Sequence, residues 1–335
     1  MDPMLTQNAP NPAFALAFDP VRPPPTLAGA VYAIGNFDGA HLGHAAVIAR
    51  TKALAAARGA PSATLTFEPH PADYFARRPV VFRLTPLAVK ARALEALGLD
   101  GAVVLTFDAA LADLSAEEFI ERVLVERLAV GAVVVGWDFH FGKGRSGGAE
   151  FLARAGERLG FAVEIVDKVE AREHGEARVV SSSAIRRMLE QGDVAAAARA
   201  LGRPYAIVGV VIPGRRLGRQ LGVPTANVAT EATNRLAFGV YAARARVPAG
   251  VFDAVASYGL RPTVAGGGAP LLETHLFDFD GDLYGQEIEV AFVERLREER
   301  KFASLEALKA QMARDMAHAR ALLAASPAAT SPPSR

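Results

Sequence analysis

Short apolar runs alternate with helix-period stretches through the first half of the chain, and with turn signals through most of the second. In the first half, residues 31–34, 63–67, 101–107, 131–136 and 161–166 predict strands. The stretches between them, 45–58, 86–97, 116–128 and 150–159, carry helical periodicity, and Ser115 with Glu118 forms a capping-box pattern at one helix start. Strands that alternate with helices predict a parallel sheet covered on both faces, with ligands held beyond the carboxyl ends of its strands.

After Ala184 the grammar changes. One helical segment, 184–200, leads into runs at 206–212, 239–247, 252–257, 271–279 and 286–292, separated by Gly/Pro/Asp turns. That spacing predicts an antiparallel barrel or sandwich. A closing helix from Ser304 places Leu305, Leu308, Met312, Met316, Ala319 and Leu323 on one stripe, read as packing. The Ala/Ser/Pro-rich tail, 324–335, is expected to be disordered. The expected organisation is an extension over 1–30, one domain over 31–187, a linker over 188–204 and a second domain over 205–323.

Composition narrows the function classes. A chain of 335 residues can bury two cores, and 51% hydrophobic with 22% charged residues is ordinary for a globular protein. With 37 basic against 36 acidic residues, no overall field exists to hold nucleic acid, so anion recognition must be local. The absence of cysteine excludes disulfides, thiolate metal sites and cysteine nucleophiles. No stretch approaches a membrane span, and the first 25 residues lack the pattern of a secretory signal, so a cytoplasmic protein is expected. The oligomeric state is left open.

The richest segment is Gly35-Asn36-Phe37-Asp38-Gly39-Ala40-His41-Leu42-Gly43-His44. A strand, a Gly-broken turn and a helix start put two imidazoles, three residues apart, at a helix's positive end. This suits a nucleoside triphosphate; two capping histidines alone would leave the glycines unexplained. Phe67, Glu68, Pro69, His70 and Pro71 leave a strand through a proline-stiffened loop, either as a solvated exit or as a ligand loop converging on the histidines. Residues 136–147 combine Asp138, Phe139 and a Gly-rich basic turn. Gly142–Gly147 matches G-x-G-x-x-G, but five residues separate it from the strand, so a dinucleotide fingerprint is rejected. Ser182, Ser183 and Arg186 open a helix, as a cap or as partners of a leaving pyrophosphate. Further on, Gly214, Gly218, Arg219 and Gly222 form a loop ending at Thr225 and Asn227, whose neutral oxygens suit Mg2+ shared with phosphates. Glu273, within an apolar run, is either an outward strand residue or a general base.

Taken in order, these motifs resemble the bacterial bifunctional riboflavin kinase/FMN adenylyltransferase family, the FAD synthetases. The resemblance runs from about Val31 to Leu323 and includes S-S-x-x-I-R, G-R-x-L-G-x-P-T-A-N, R-P-T and D-L-Y-G segments. It implies a Rossmann-like α/β parallel-sheet nucleotidyltransferase domain of the H-x-G-H type, followed by an antiparallel β-barrel kinase domain with a C-terminal helix. It implies ATP-dependent phosphorylation of riboflavin to FMN, then transfer of adenylate from a second ATP to give FAD and pyrophosphate. His41, His44, Ser182 and Arg186 match the family's triphosphate residues, Thr225 and Asn227 its Mg2+ residues, and Glu273 its catalytic base. The resemblance also implies nucleotide contacts at Gly35, Phe37, Asp38, Gly39, Asp138, Ser183, Gly214, Gly218, Arg219 and Gly222. Flavin contacts are implied at Phe67, Pro69, His70, Phe139 and Arg261. His140, Pro213, Val223, Ser183, Tyr258 and Val264 depart from the family pattern.

Overall fold

Strands that are apolar at every position need cover on both faces, and the first part of the chain supplies it. The computed structural model describes residues 14–173, 176–214, 222–260 and 270–326. It divides into two units, Met1–Ser182 and Ser183–Arg335. The first contains β1 (Ala15–Phe18), β2 (Val31–Ile34), α1 (Leu42–Arg58), β3 (Ser62–Glu68), α2 (Pro71–Ala76), α3 (Leu87–Ala96), β4 (Gly101–Thr106), α4 (Ala109–Ala112) and α5 (Ala116–Glu118). It continues through β5 (Ala132–Gly136), a small hairpin of β6 (His140–Phe141) and β7 (Gly147–Gly148), α6 (Ala149–Leu159), β8 (Ala162–Val166), and a second hairpin, β9 (Glu170–Glu173) and β10 (Glu176–Val179).

Six parallel strands form one sheet in the order β1-β4-β3-β2-β5-β8. Alternation along β2 feeds both cores: Tyr32 and Ile34 join one apolar cluster, while Val31 and Ala33 join the other beneath α1 and α3. Strand order reverses between β2 and β5, which opens a crevice where their following loops meet.

Two expectations are corrected here. The 1–30 stretch is no mere extension, because Ala15–Phe18 adds a parallel edge strand beside β4; four residues at an edge carry too little pattern to stand out. The helix expected over 116–128 starts at the Ser115/Glu118 capping box but continues with π-type bonding over Phe119–Arg127. Its wider turn buries Phe119, Ile120, Val123 and Leu124 together, so packing overrides the ordinary helical period. The G-x-G-x-x-G match spans the β6–β7 hairpin, consistent with its rejection.

The second unit opens with α7 (Ser182–Gln191) and α8 (Val194–Leu201) rather than one helix. Gly192, at φ 82°, breaks the run, and the Asp193 carboxylate caps α8 by accepting the Ala196 N–H at 2.8 Å. A closed antiparallel barrel follows, formed by β11 (Ala206–Ile212), β12 (Ala226–Ala229), β13 (Gly239–Val247), β14 (Gly250–Leu260), β15 (Pro270–Leu276) and β16 (Glu287–Arg297). Strand β12 takes in Asn227, which the sequence places at the end of a loop. The closing helix α9 (Leu305–Ala325) packs on the barrel through Ala319, Leu323 and Met316. Its stripe differs from expectation: Leu305 is exposed, whereas Gln311 and Asp315 are buried. Asp315 takes a forked pair of bonds from Arg297 at 2.8–3.1 Å, which offsets its burial.

Candidate active sites

In the first unit, the turn after β2 presents the histidine pair. His41 is the N-cap of α1, and its Nδ1 accepts the His44 N–H at 3.3 Å. The ring proton therefore sits on Nε2, the edge that can donate to a phosphate oxygen. His41 is buried, yet not in hydrocarbon: its ring stacks on that of His44 with centroids 3.7 Å apart. Gly43 is what permits this. A Cβ there would lie 3.1 Å from the His41 ring.

The neighbouring side chains, Phe37 and Asp38, are buried. Phe37 is buried among Val47, Ile48 and Val134, and it meets His44 edge-on at 5.2 Å. Asp38 is also buried; its carboxylate accepts the backbone N–H groups of Leu84 and Thr85 at 3.1 and 2.9 Å. Gly39 N–H in turn donates to Thr85 Oγ1 at 2.8 Å. Asp38 thus braces the loop from within, and its backbone carbonyl accepts the Ser182 hydroxyl at 2.8 Å. Ser183 follows in the first turn of α7 and Arg186 lies one turn on.

The proline loop after β3 is anchored by charge. Glu68 binds Arg83 through a fork and Lys90 at 3.0 Å. Burial alone would raise the Glu68 carboxyl; the Arg83 hydrogen bonds and the Lys90 charge outweigh it and hold the group below its ordinary value. Burial pushes the Lys90 ammonium down, partly offset by Glu68. Neither Arg83 nor Lys90 carries a sequence signal: a lone cation in a loop or at helical period looks like any solvated position. His70 caps α2 by accepting the Ala72 N–H at 3.1 Å. Beside it, Phe67, Tyr74, Phe75 and Phe107 form an edge-to-face aromatic cluster, with Phe75 68% exposed. Only Phe67 of these was foreseen. After β5, Trp137 and Asp138 are exposed, Phe139 stacks on Phe141 at 5.3 Å, and His140 Nδ1 donates to the Asp138 carbonyl at 2.8 Å.

In the second unit, Glu273 lies on the outer face of β15, between buried Leu272 and Thr274. Pairing register places it opposite Asn227 of β12 and Ser257 of β14. Asn227 is buried, and its amide occupies the space a Cβ at Gly214 would need. His275, two residues beyond Glu273, donates from Nδ1 to the Pro224 carbonyl at 2.7 Å and so pins the segment that carries Thr225. Glu299 reaches over Gly259; burial pushes its carboxyl up, Arg297 opposes this, and Glu273 adds to it. Gly222 is described, whereas Gly218, Arg219 and Arg261 lie outside the described residues.

Comparison with known proteins agrees with both halves. A family model described as FAD synthetase matches residues 24–184, and one described as riboflavin kinase matches residues 201–323. A bifunctional riboflavin kinase/FMN adenylyltransferase of Pseudomonas fluorescens is 44% identical over 302 residues, 90% of this chain and 96% of that one. The Escherichia coli K12 protein of the same name is 41% identical, covering 87% and 92%. A solved chain from Streptococcus pneumoniae, described as a macrolide-efflux protein, superposes with a TM-score of 0.78 at 28% identity, covering 90% and 98%. Among the described residues here, no helix is long and apolar enough to cross a membrane. On two consecutive domain matches and relatives aligned along nearly their whole length, the chain belongs to the bifunctional riboflavin kinase/FMN adenylyltransferase family.

Proposed function

We propose that the second unit transfers the γ-phosphate of ATP to the 5′-hydroxyl of riboflavin, giving FMN and ADP. The first unit then joins FMN to the adenylate of a second ATP, giving FAD and pyrophosphate. The observation that carries the second step is the stacked His41–His44 pair at the N-terminus of α1, in the crevice between β2 and β5. The FMN phosphate is already anionic, so its attack on the α-phosphate needs no base; placement and charge neutralisation supply the rate. The His41 Nε2–H, the α1 dipole and the backbone of Gly35–Gly39 receive the triphosphate, while Phe37 and Asp38 hold that backbone in shape. Ser182, Ser183 and Arg186 are assigned to the departing pyrophosphate. Phe67, Pro69, His70 and Phe139, with the aromatic cluster beside them, are assigned to the flavin, and Asp138 to the nucleotide.

In the kinase reaction Glu273 takes the proton from the riboflavin hydroxyl, a role its exposed place on the outer face allows. Thr225 and Asn227 fit Mg2+ brought with ATP: they offer neutral oxygens, and among the described residues no cluster of His, Asp or Glu forms a protein-only cation cage. When bound, that ion neutralises charge on the transferring phosphates. Gly214, Gly218, Arg219 and Gly222 are assigned to ATP, and Arg261 to the flavin. Chromatography of products after supplying riboflavin or FMN separately, each with ATP and Mg2+, tests both steps. FMN then FAD is expected from riboflavin, and FAD alone from FMN; ATP consumption with neither flavin would refute the reading.

A further inference from the structure

Lys90, on α3, is 1% exposed, yet it touches both loops assigned to substrates in the first unit. Its Nζ donates to the Asn36 carbonyl at 3.1 Å, to Thr66 Oγ1 at 3.2 Å and to Glu68 Oε1 at 3.0 Å. An ammonium has three donors, and all three are used. Asn36 opens the turn that carries His41 and His44, whereas Glu68 immediately precedes Pro69 and His70. The ammonium therefore spans the nucleotide loop and the flavin loop directly. Seven residues earlier in sequence, Arg83 grips the same Glu68, and Leu84 and Thr85 between them bond Asp38 of the histidine turn. The segment from Arg83 to Lys90 is thus a clasp that holds each loop at two points.

Burying a cation is expensive, and an apolar side chain of similar volume would fill this space at lower cost. Stability alone therefore gives a weak reason for lysine here. A reason appears in the reaction itself: with no base and no covalent intermediate, the rate depends on how closely the FMN phosphate meets the α-phosphate in line. We propose that Lys90 is a positioning residue for adenylyl transfer, fixing the separation of the two substrate loops through the Asn36 carbonyl and the Glu68 carboxylate. The proposal rests on the assignment of those loops to ATP and FMN.

The test is steady-state FAD formation from supplied FMN and MgATP by the full chain, for Lys90→Met, Glu68→Gln and the double variant. Lys90→Met leaves Glu68 paired with Arg83, and Glu68→Gln leaves Lys90 its two neutral acceptors, so neither removes every partner. Expected is a fall in kcat of about 100-fold, the order that an ångström of misplacement costs, with KM for FMN and for ATP little changed. The double variant should be no slower than the slower single one, because both break the same tie. Unaltered kcat in both single variants, or raised KM at unaltered kcat, would overturn the proposal. Should Lys90→Met fail to fold, the kcat–KM split in Glu68→Gln decides. His41→Ala with His44→Ala, run alongside, separates the two layers: full activity there would refute the loop assignment itself, whatever Lys90 does.

Discussion

The two sites place their carboxylates in opposite ways. In the first unit Asp38 and Glu68 turn inward, where they accept backbone N–H groups or bind Arg83 and Lys90. In the second, Glu273 stands on the outer face of the barrel, flanked by Asn227 and Ser257, which are neutral. The proposed nucleophiles account for the difference. A phosphate monoester needs no base and is repelled by a nearby carboxylate, so Asp38 and Glu68 serve best as internal braces. A flavin hydroxyl must lose its proton, so a carboxylate has to face the substrate. Charge on the nucleophile thus decides whether an acidic side chain becomes scaffold or reagent.

The largest effect should come from removing the reagent. Glu273→Gln is expected to slow FMN formation from riboflavin by about 10²–10⁴-fold, the usual contribution of a general base. FAD formation from supplied FMN should be unchanged. Equal loss of both would break the comparison, since Glu273 would then be supporting the fold. Next comes the donor pair: His41→Ala with His44→Ala should lower FAD formation by about 10²–10³-fold, the order of losing preorganised donors to a developing anion. Riboflavin fed to that variant should accumulate as FMN, read by chromatography.

A smaller change sharpens the first half of the comparison. In Gly43→Ala the new methyl would lie 3.1 Å from His41 Cε1 and Nδ1, so the ring must yield by a few tenths of an ångström. The Val180 carbonyl, 3.5 Å away on another side, limits how the backbone can relax. A sub-ångström shift should cost roughly tenfold in adenylyl transfer, with riboflavin phosphorylation untouched. Parallel assays of the two activities on one preparation check this.

How much of this was legible follows from what each element asks of its residues. Strands β2 and β5 are apolar at nearly every position and β3 alternates apolar with polar residues, so each carries a local signal, as do the barrel strands β13 and β16. Strands β1 and β12, four residues each, owe their existence to neighbours already in place, and nothing local announces them. The histidine turn was legible because glycines, imidazoles and a helix start coincide in ten residues. The bracing by Asp38 was not legible, because a carboxylate in a phosphate-binding turn looks the same whether it faces the ligand or props the loop. Arg83 and Lys90 carry no local signal for a related reason: their shared partner Glu68 lies 15 and 22 residues away, and only the fold brings the segment from Arg83 to Lys90 to the end of β3.

The smallest effect tests the comparison through pH. Glu68 is held below its ordinary value of 4.5 in the folded state, so between the two values the unfolded chain binds more protons. Its contribution to stability is complete above 4.5 and is lost as pH falls through the depressed value. Glu299 has the opposite sign: its carboxyl is raised, so the folded state holds the extra proton. Its contribution is complete below 4.5 and is lost as pH rises through the raised value. Lys90 is depressed from 10.5, so it adds stability only as pH climbs toward that value and is silent in acid. Acid should therefore weaken the first unit through Glu68 and relieve the second through Glu299. Thermal melting from neutral pH down to pH values below Glu68's depressed pKa checks this, with changes of the order of a few degrees. Glu68→Gln should flatten the acid limb, and Glu299→Gln should raise the neutral melting temperature, less strongly because Glu299 is only partly buried and solvent screens it. If Glu68→Gln left the acid limb as steep as before, inward carboxylates would have to be doing something other than bracing.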